Sequence, residues 1–465
     1  MNELVLFGVT GDLAKLKLIP ALYNLYSTRK IDKKSSFIGF GRRNFSKIEF
    51  QAFIEDVLVS YFSKIESVSK KHKSAKKNST SDDESYTAHK NQIRNFSAQW
   101  SYVESELDDI SGYKKLASLL EASNTVIYVS LPPMYQYQVA HLLLSSGVIK
   151  KAPDLIKSVK ISNRKLALEK PYGSNTASSE KLDAFLTHKL HESQILRVDH
   201  YAGKQALVEI EAVASQGIFK HILCNQTISK IEVQLNESID VSNRGIFYDS
   251  VGALSDIGQN HILHMLATTL AIPEMSYCTT TNKQFTLAQL RGEALSLLEI
   301  PKQQKYKPIL GQYDSFTKTQ GVKEDSTTET FFRIFANLKK STSIISKRWS
   351  DVSIELVGGK ALKEAGASIK LHPVCSPKKS GKASKSVKTN LLAEPIEILV
   401  NGYGERDAYE QIFMDAFNYN PNRFIDFRQI KSGWAFIEKV KRISKISKKN
   451  KPIIYKKGSY PQDIF

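Results

Sequence analysis

The stretch "FGVTGDLAKLKLIPALYNL", residues 7–25, decides the fold. It continues the apolar run "LVLF" and predicts a buried strand, a glycine-containing turn and an amphipathic helix. Gly8 and Gly11 stand at the junction, where glycines let backbone N–H groups approach a pyrophosphate and the start of the helix attracts the anion. A tight turn without a ligand would use the same residues, because G-x-x-G is shorter than the complete dinucleotide-binding fingerprint. These residues alone therefore leave a dinucleotide site and a plain turn as alternatives.

The first part of the chain alternates strand and helix patterns over about 170 residues. Short apolar strands are predicted at "ELVLFG", "SSFIGFGR", "NTVIYVSLPP" and "NRKLALEKPYG". This order predicts a doubly wound parallel sheet, and thus an α/β Rossmann-like dinucleotide-binding domain over residues 1–172. Ligands of such sheets bind at the carboxyl ends of the strands, where Gly8, Arg42, Pro132 and Lys170 fall.

Three stretches are rich in lysine and serine. The first is an insert at about residues 63–95, whose composition predicts a mobile surface loop within the first domain. The others begin at Ser376 and Lys439 and are typical of solvated loops or tails.

The second part of the chain has a different pattern. Segments such as "ISKIEVQLNES", "TETFFRIFANL" and "EPIEILVNG" alternate in part between apolar and polar residues, as in an antiparallel sheet with one covered face. Helical patterns flank them. We therefore predict an α+β domain with a large, mainly antiparallel sheet over residues 173–465.

Composition excludes several function classes. The net charge of +19 lies largely in the lysine-rich stretches, which carry no interleaved aromatics, so no specific nucleic-acid binding is expected and weak polyanion binding stays open. Cys224, Cys278 and Cys375 show neither metal-ligand spacing nor a paired framework, which predicts no metal site and a reducing compartment. The chain has no basic leader and no apolar run of membrane-spanning length, so a cytoplasmic location without membrane contact is expected.

Arginines follow the second predicted strand, in "FGRRNF". Nicotinamide-binding folds usually carry an acidic residue there for the ribose 2′-hydroxyl. Arg42 and Arg43 suit a 2′-phosphate instead, which favours NADP and leaves NAD as a weaker substrate. Two solvated arginines in a loop are the alternative interpretation, and the glycine turn is what favours the cofactor.

Several blocks of the sequence resemble the glucose-6-phosphate dehydrogenase family, in the family's order. The most specific are "RVDHYAGK", "SDIGQNH" and "GGKAL". The others are "GVTGDLAKLKLIPALY", "VSLPP", "EKPYG", "GQY" and "DAYEQIFMDAF", so the resemblance extends from Phe7 to Phe417.

The resemblance implies oxidation of glucose 6-phosphate at C1 to the lactone with NADP, the first step of the oxidative pentose phosphate pathway, by a homodimer or homotetramer. His261 would be the base, a role that suits histidine at neutral pH because its ordinary pKa is about 6.5. Asp199 would hold the second ring nitrogen of His261. Lys170 would lie between substrate and nicotinamide.

The resemblance also assigns the binding residues. The substrate phosphate would contact His200, Tyr201 and Lys204, and the sugar would contact Glu237, Asp256 and Lys360. The cofactor would contact the phosphate loop and the turn beside the nicotinamide, which comprise Gly8, Thr10, Gly11, Asp12, Leu13, Pro132 and Pro133.

Three positions depart from the family pattern. Gln205 replaces an acidic residue, Ser255 replaces an arginine, and Ala365 stands at a second basic contact for which Lys363 is a nearby substitute. These changes bear on affinity, on the exact sugar phosphate and on rate. The alternatives are therefore another NADP-dependent sugar or sugar-phosphate dehydrogenase, and a nucleotide-binding protein that has lost turnover. A polyanion-binding module is a third.

Overall fold

The computed structural model describes residues 2–72, 82–121, 124–152, 164–214, 222–274, 285–374, 394–400, 407–444 and 451–460. Cys278, Cys375 and the basic stretch that begins at Ser376 lie outside these residues. The chain divides into two compact units. Unit 1 comprises residues 1–203 and 406–424, and unit 2 comprises residues 204–405 and 425–465.

Unit 1 contains a parallel sheet whose described strands lie in the order β3-β2-β1-β4-β5-β6. These strands are β1 (Glu3–Phe7), β2 (Ser36–Gly41), β3 (Trp100–Glu104), β4 (Thr125–Val129), β5 (Lys165–Glu169) and β6 (Ile195–Val198). Strands β1 and β4 are neighbours although the chain leaves them toward opposite edges of the sheet. This reversal of strand order confirms the Rossmann-like prediction. Sheets of this kind bind their ligands in the crevice at such a reversal, which here lies at the ends of β1 and β4.

The helices of unit 1 cover this sheet. They are Ile19–Ser27, Lys47–His72, Asp82–Ser97, Ile110–Leu119, Pro133–Ser145, Thr176–Lys189 and Ala408–Asn418, with a π-helical turn at Ala14–Leu18 and shorter 3-10 turns at Glu192–Gln194, His200–Gly203 and Pro421–Arg423. Every residue of β1, β4 and β5 is buried. Strands covered on both faces need continuous apolar runs, which is why "LVLF" and "VIYV" show no alternation.

The lysine-rich insert at residues 63–95 is helical where it is described, and the prediction of a loop was wrong. One helix continues to His72 and a second begins at Asp82, while residues 73–81 lie outside the described part. The second helix is fixed by Ile93 and Phe96, which are buried in the core of unit 1. The largely polar composition of this helix concealed these two apolar contacts.

Unit 2 contains a mixed sheet of order β13-β12-β7-β11-β10-β9-β14, with β8 paired to β10. The strands are β7 (Ile228–Asn236), β8 (Leu298–Glu299), β9 (Ile309–Tyr313), β10 (Phe331–Leu338), β11 (Ser353–Gly359), β12 (Gly366–Pro373), β13 (Ile396–Leu399) and β14 (Ile453–Tyr455). Within the described strands, β7 with β11 and β9 with β14 are the parallel pairs, so the sheet is mainly antiparallel, as predicted.

Helices pack against this sheet. They are Gln205–Ala214, Gly245–Ala253, Leu263–Ala271, Leu287–Ser296, Ile344–Arg348 and Phe427–Ser444, with a π-helical segment at Leu254–Ile262 and 3-10 turns at Ser242–Arg244, Ile272–Glu274, Gln304–Tyr306 and Phe316–Lys318. Burial alternates along β12, so one face of the sheet is covered. Within the described helices, no segment is long and apolar enough to cross a bilayer.

Two boundaries differ from the sequence-based ones. The first domain was predicted to end at residue 172, whereas β6 joins the same sheet and extends the compact unit to Gly203. Residues 407–424 also return to unit 1, where Phe413 packs against Tyr128 with ring centroids 5.3 Å apart. The basic stretch from Lys439 is not a tail where it is described, because it completes a helix and then forms β14.

Candidate active site

The turn after β1 has a shape that only glycine permits. Gly8 has a φ of +74°, and a Cβ at this position would lie 2.4 Å from the carbonyl oxygen of Ser130. The Gly11 N–H donates to the Gly8 carbonyl at 2.9 Å, and helical structure begins directly afterwards. The turn therefore brings bare backbone and a helix start to the crevice at the end of β1. This arrangement fits a pyrophosphate.

Arg42 and Arg43 lie just beyond β2 and are exposed. Strand β2 pairs with β1 in parallel, with Phe40 opposite Phe7. Both arginines therefore lie at the same sheet edge as the glycine turn, where guanidinium groups can bind a phosphate by paired hydrogen bonds.

The turns after β4 and β5 are joined to each other. Gln136, in the helix that follows Pro132, donates from Nε2 to the carbonyl oxygen of Glu169 at 2.7 Å. Lys170 follows Glu169, is half-buried and precedes a cis peptide bond to Pro171. Pro132 and Lys170 are thus held at the same carboxyl edge as the glycine turn.

Sequence reasoning missed a buried acid beside Lys170. Glu169 is 4% exposed and accepts a hydrogen bond from the Tyr128 hydroxyl at 2.5 Å. Tyr409, from the returning helix, hydrogen-bonds the same carboxyl group. Burial raises the pKa of Glu169 to about 7, against the opposing effects of the Tyr128 hydrogen bond and the Lys170 charge. The motif "EKPYG" contains this residue, but the family resemblance assigns a role only to its lysine, Lys170.

Glu169 should make unit 1 less stable as pH rises. Its pKa is about 7 when folded and 4.5 ordinarily, so between these values the folded protein holds a proton that the unfolded chain has lost. Stability therefore falls through this window, by up to about 3 kcal/mol. Glu169→Gln keeps an acceptor for Tyr128 and removes the titration. We expect the difference between the urea unfolding midpoints of Glu169→Gln and wild type to grow in favour of the variant from pH 5 to pH 8. A difference that does not change with pH would contradict the raised pKa of Glu169.

The turn after β6 places Asp199, His200 and Tyr201. Asp199 is fully buried, and its Oδ1 accepts from the Tyr201 N–H at 3.0 Å. His200 is only half-buried and stacks on the Tyr409 ring at 5.4 Å. The chain passes close to the returning helix here, since a Cβ at Gly203 would lie 2.2 Å from the Ala408 carbonyl oxygen. Because Asp199 is fully buried and His200 is only half-buried, these neighbouring side chains can interact with different groups.

Unit 2 brings three of the predicted substrate contacts together. Glu237 follows β7 and Lys360 follows β11, and these parallel strands pair with Asn236 opposite Gly359. The Lys360 ammonium consequently forms an ion pair with Glu237 and lies 3.5 Å from Oδ2 of Asp256. Two carboxylates around one ammonium provide the acceptors and the donor that sugar hydroxyls require.

His261 lies on the same segment as Asp256, Leu254–Ile262, whose hydrogen bonds are those of a π-helix. Because π-helical bonds join residues five apart, Asp256 and His261 lie on one side of the segment. His261 is 3% exposed, and its backbone N–H donates to Oδ1 of Asn260 at 2.7 Å. Lys204 precedes helix Gln205–Ala214 and is half-buried.

The comparisons with known proteins identify the family. Residues 5–208 match the family described as "Glucose-6-phosphate dehydrogenase, NAD binding domain", and residues 214–398 match "Glucose-6-phosphate dehydrogenase, C-terminal domain". The chain belongs to the glucose-6-phosphate dehydrogenase family. Both domains of the family are therefore present.

Individual relatives resemble this family member over most of its length. Glucose-6-phosphate 1-dehydrogenase of Bacillus subtilis (strain 168) is 28% identical over 385 residues, which cover 79% of this chain and 70% of the relative. The Borreliella burgdorferi enzyme of the same name is 28% identical over 477 residues, covering 94% and 91%. The crystal structure of the Mycobacterium avium enzyme shares the fold, with a TM-score of 0.74 and 23% identity over 99% and 95% of the two chains.

Two departures from the family pattern have structural partners. Gln205 donates from Nε2 to Glu209 at 2.6 Å along its own helix. The Ser255 hydroxyl accepts from the Lys441 ammonium at 2.9 Å. Ala365 is exposed, and the substitute cation Lys363 lies over the Tyr460 ring at 5.6 Å. Nothing in the structure explains the alanine.

Proposed function

We propose that this chain oxidises glucose 6-phosphate at C1 to 6-phosphogluconolactone with NADP+. The proposal rests mainly on one observation: one domain carries the groups suited to a dinucleotide, and the other carries the groups suited to a sugar and a base. Unit 1 presents the glycine turn and two exposed arginines at the ends of parallel strands. Unit 2 presents His261 on the same segment as Asp256, and Asp256 shares the Lys360 ammonium with Glu237.

His261 takes the proton of the C1 hydroxyl on a ring nitrogen in this proposal. Asp199 accepts from the other ring nitrogen, which fixes the tautomer and stabilises the imidazolium. The nicotinamide of bound NADP+ would supply the acceptor for the hydride that leaves C1. Lys170 orients the substrate beside that ring.

The substrate is held by charge and by hydrogen bonds. His200, Tyr201 and Lys204 bind the phosphate, while Glu237 and Asp256 accept from sugar hydroxyls. Gly8, Thr10, Gly11, Asp12 and Leu13 seat the pyrophosphate of NADP. A homodimer or homotetramer and a cytoplasmic location belong to the same proposal.

Phosphate recognition is tested by comparing glucose 6-phosphate with free glucose in wild type and Lys204→Ala. We expect KM for glucose 6-phosphate to rise about 10-fold or more in the variant, because a charged hydrogen bond to the phosphate contributes about 1.5–3 kcal/mol. The kinetic constants for glucose should not change. Equal rates with both sugars in the wild type would instead favour a dehydrogenase without a phosphate requirement.

The arginines set cofactor preference in this account. The double variant Arg42→Ala, Arg43→Ala should raise KM for NADP+ about 10-fold or more and leave KM for NAD+ nearly unchanged, because only NADP carries the 2′-phosphate. Steady-state kinetics with both cofactors measures the ratio, and NAD+ is the internal control. A parallel loss with both cofactors would show that these residues act on the loop and not on the phosphate.

A further inference from the structure

The segment that carries Asp256 and His261 begins at a break in the helix, and Glu329 occupies the space at that break. Gly252 lies near the end of helix Gly245–Ala253 and interrupts it with a φ of +72°, two residues before segment Leu254–Ile262 begins. A Cβ at Gly252 would lie 2.4 Å from Oε1 of Glu329. The carboxyl group therefore fills the volume that a side chain at position 252 would need.

Glu329 also satisfies the backbone where the segment begins. Its main-chain oxygen accepts from the Ala253 N–H at 2.9 Å, and its Oε1 accepts from the Leu254 N–H at 3.1 Å. The first N–H groups of a helix have no acceptor within the helix, and the acceptor usually comes from the residue just before it. Here it comes from a residue 75 positions away in the chain.

Lys441 is the second group at this place. It extends from helix Phe427–Ser444 and donates from Nζ to the Ser255 hydroxyl at 2.9 Å. Burial raises the pKa of Glu329, and the Lys441 charge opposes that rise. A carboxyl group and an ammonium group from two distant elements thus hydrogen-bond the first residues of segment Leu254–Ile262.

Glu329 is itself fixed to the sheet. The next residue, Thr330, donates from its N–H to the Gly311 carbonyl at 2.8 Å, and its hydroxyl lies 2.9 Å from the Tyr455 hydroxyl. Through Glu329 and Thr330, the position of the start of the segment is consequently fixed relative to β9 and β14. A shift of Glu329 would move Asp256 and His261 relative to Lys360, which also lies at the end of a strand.

We propose that Glu329 and Lys441 are positioning residues for the oxidation: they fix the start of segment Leu254–Ile262 and thereby the place of Asp256 and His261. This inference rests on the proposed function for its catalytic meaning. Its structural content, the placement of His261, can be measured without turnover.

Four variants test the pair. Glu329→Ala and Lys441→Met remove the acceptor and the cation, whereas Glu329→Gln and Lys441→Arg retain them. We expect the first two to lower kcat about 10- to 100-fold, because a small misplacement of a reacting group costs that much, and to leave the Kd of NADP+ unchanged. The conservative variants should retain most of kcat. Glu355→Gln, a buried carboxylate that pairs with Arg333 on the sheet, is the matched control.

A second readout separates this inference from the proposed function. Modification of His261 by diethyl pyrocarbonate, followed by mass spectrometry, should become several-fold faster in Glu329→Ala and Lys441→Met and stay unchanged in Glu355→Gln. If the wild type oxidises no sugar phosphate but these rates change, the positioning pair stands and the proposed function fails. If Glu329→Ala and Lys441→Met fold with lower melting temperatures but keep the kcat and the His261 reactivity of wild type, the two residues only stabilise the fold. That result would overturn the proposal that they position His261.

Discussion

Replacement of His261 by alanine is expected to lower kcat for glucose 6-phosphate by about 10²- to 10⁴-fold, the usual contribution of a positioned general base. The variant loses the acceptor for the C1 hydroxyl proton, so the loss falls on the chemical step. The Kd of NADP+ should not change, because the glycine turn and the arginines belong to unit 1. Stopped-flow or steady-state reduction of NADP+, with a separate binding titration, measures both quantities.

His372→Ala is the matched control for this variant. His372 also belongs to unit 2 and lies on β12, with its Nε2 3.5 Å from a carboxylate oxygen of Glu232. It should retain nearly the full kcat. An equal loss in both variants would indicate a general effect on the fold of unit 2, and retention of activity in His261→Ala would exclude His261 as the base.

Gly8→Ala should raise the Kd of NADP+ about 10- to 100-fold. A side chain disfavours the φ of +74° and would place a Cβ 2.4 Å from the Ser130 carbonyl oxygen, so the turn must move. Strain of this kind costs about 1–3 kcal/mol, and each 1.4 kcal/mol is a factor of ten in affinity. Isothermal titration with NADP+ measures the change.

Gly147→Ala provides the control for backbone strain alone. Gly147 has a φ of +76° beyond helix Pro133–Ser145, and a Cβ there would approach Lys150 Cε only to 3.3 Å. The two variants share the unfavourable backbone angle but differ in the close contact and in the proximity to the crevice. We expect Gly147→Ala to lower stability with no change in the Kd of NADP+. A similar Kd in Gly8→Ala and wild type would remove the glycine turn from the cofactor site.

The sequence predicted the parts of the fold that depend on local pattern. The apolar runs of β1 and β4 and the turn at Gly8 determine the doubly wound sheet, because each is specified by adjacent residues. The helix Asp82–Ser97 was not predicted, since two buried side chains among many polar ones outweigh its composition. The return of helix Ala408–Asn418 to unit 1 depends on contacts between residues far apart in the chain.

The same distinction applies to the candidate site. The pairing of Glu237 with Lys360 follows from two strand ends that resemblance had already marked. Glu169 and Tyr409 were missed because their significance lies in burial and in a contact across the sequence. Glu329 was missed for the same reason, since it meets the segment of His261 only in three dimensions. The roles assigned to Asp199 and His261 stay predictions.

The most direct test of the account is the reaction of the wild-type protein with glucose 6-phosphate and NADP+. Absorbance of the reduced nicotinamide should rise in proportion to the glucose 6-phosphate consumed, with 6-phosphogluconate as the hydrolysed product and no comparable signal from free glucose. Tight binding of NADP+ without reduction, under conditions in which the folded protein binds glucose 6-phosphate, would contradict the proposed oxidation and indicate a nucleotide-binding protein without turnover.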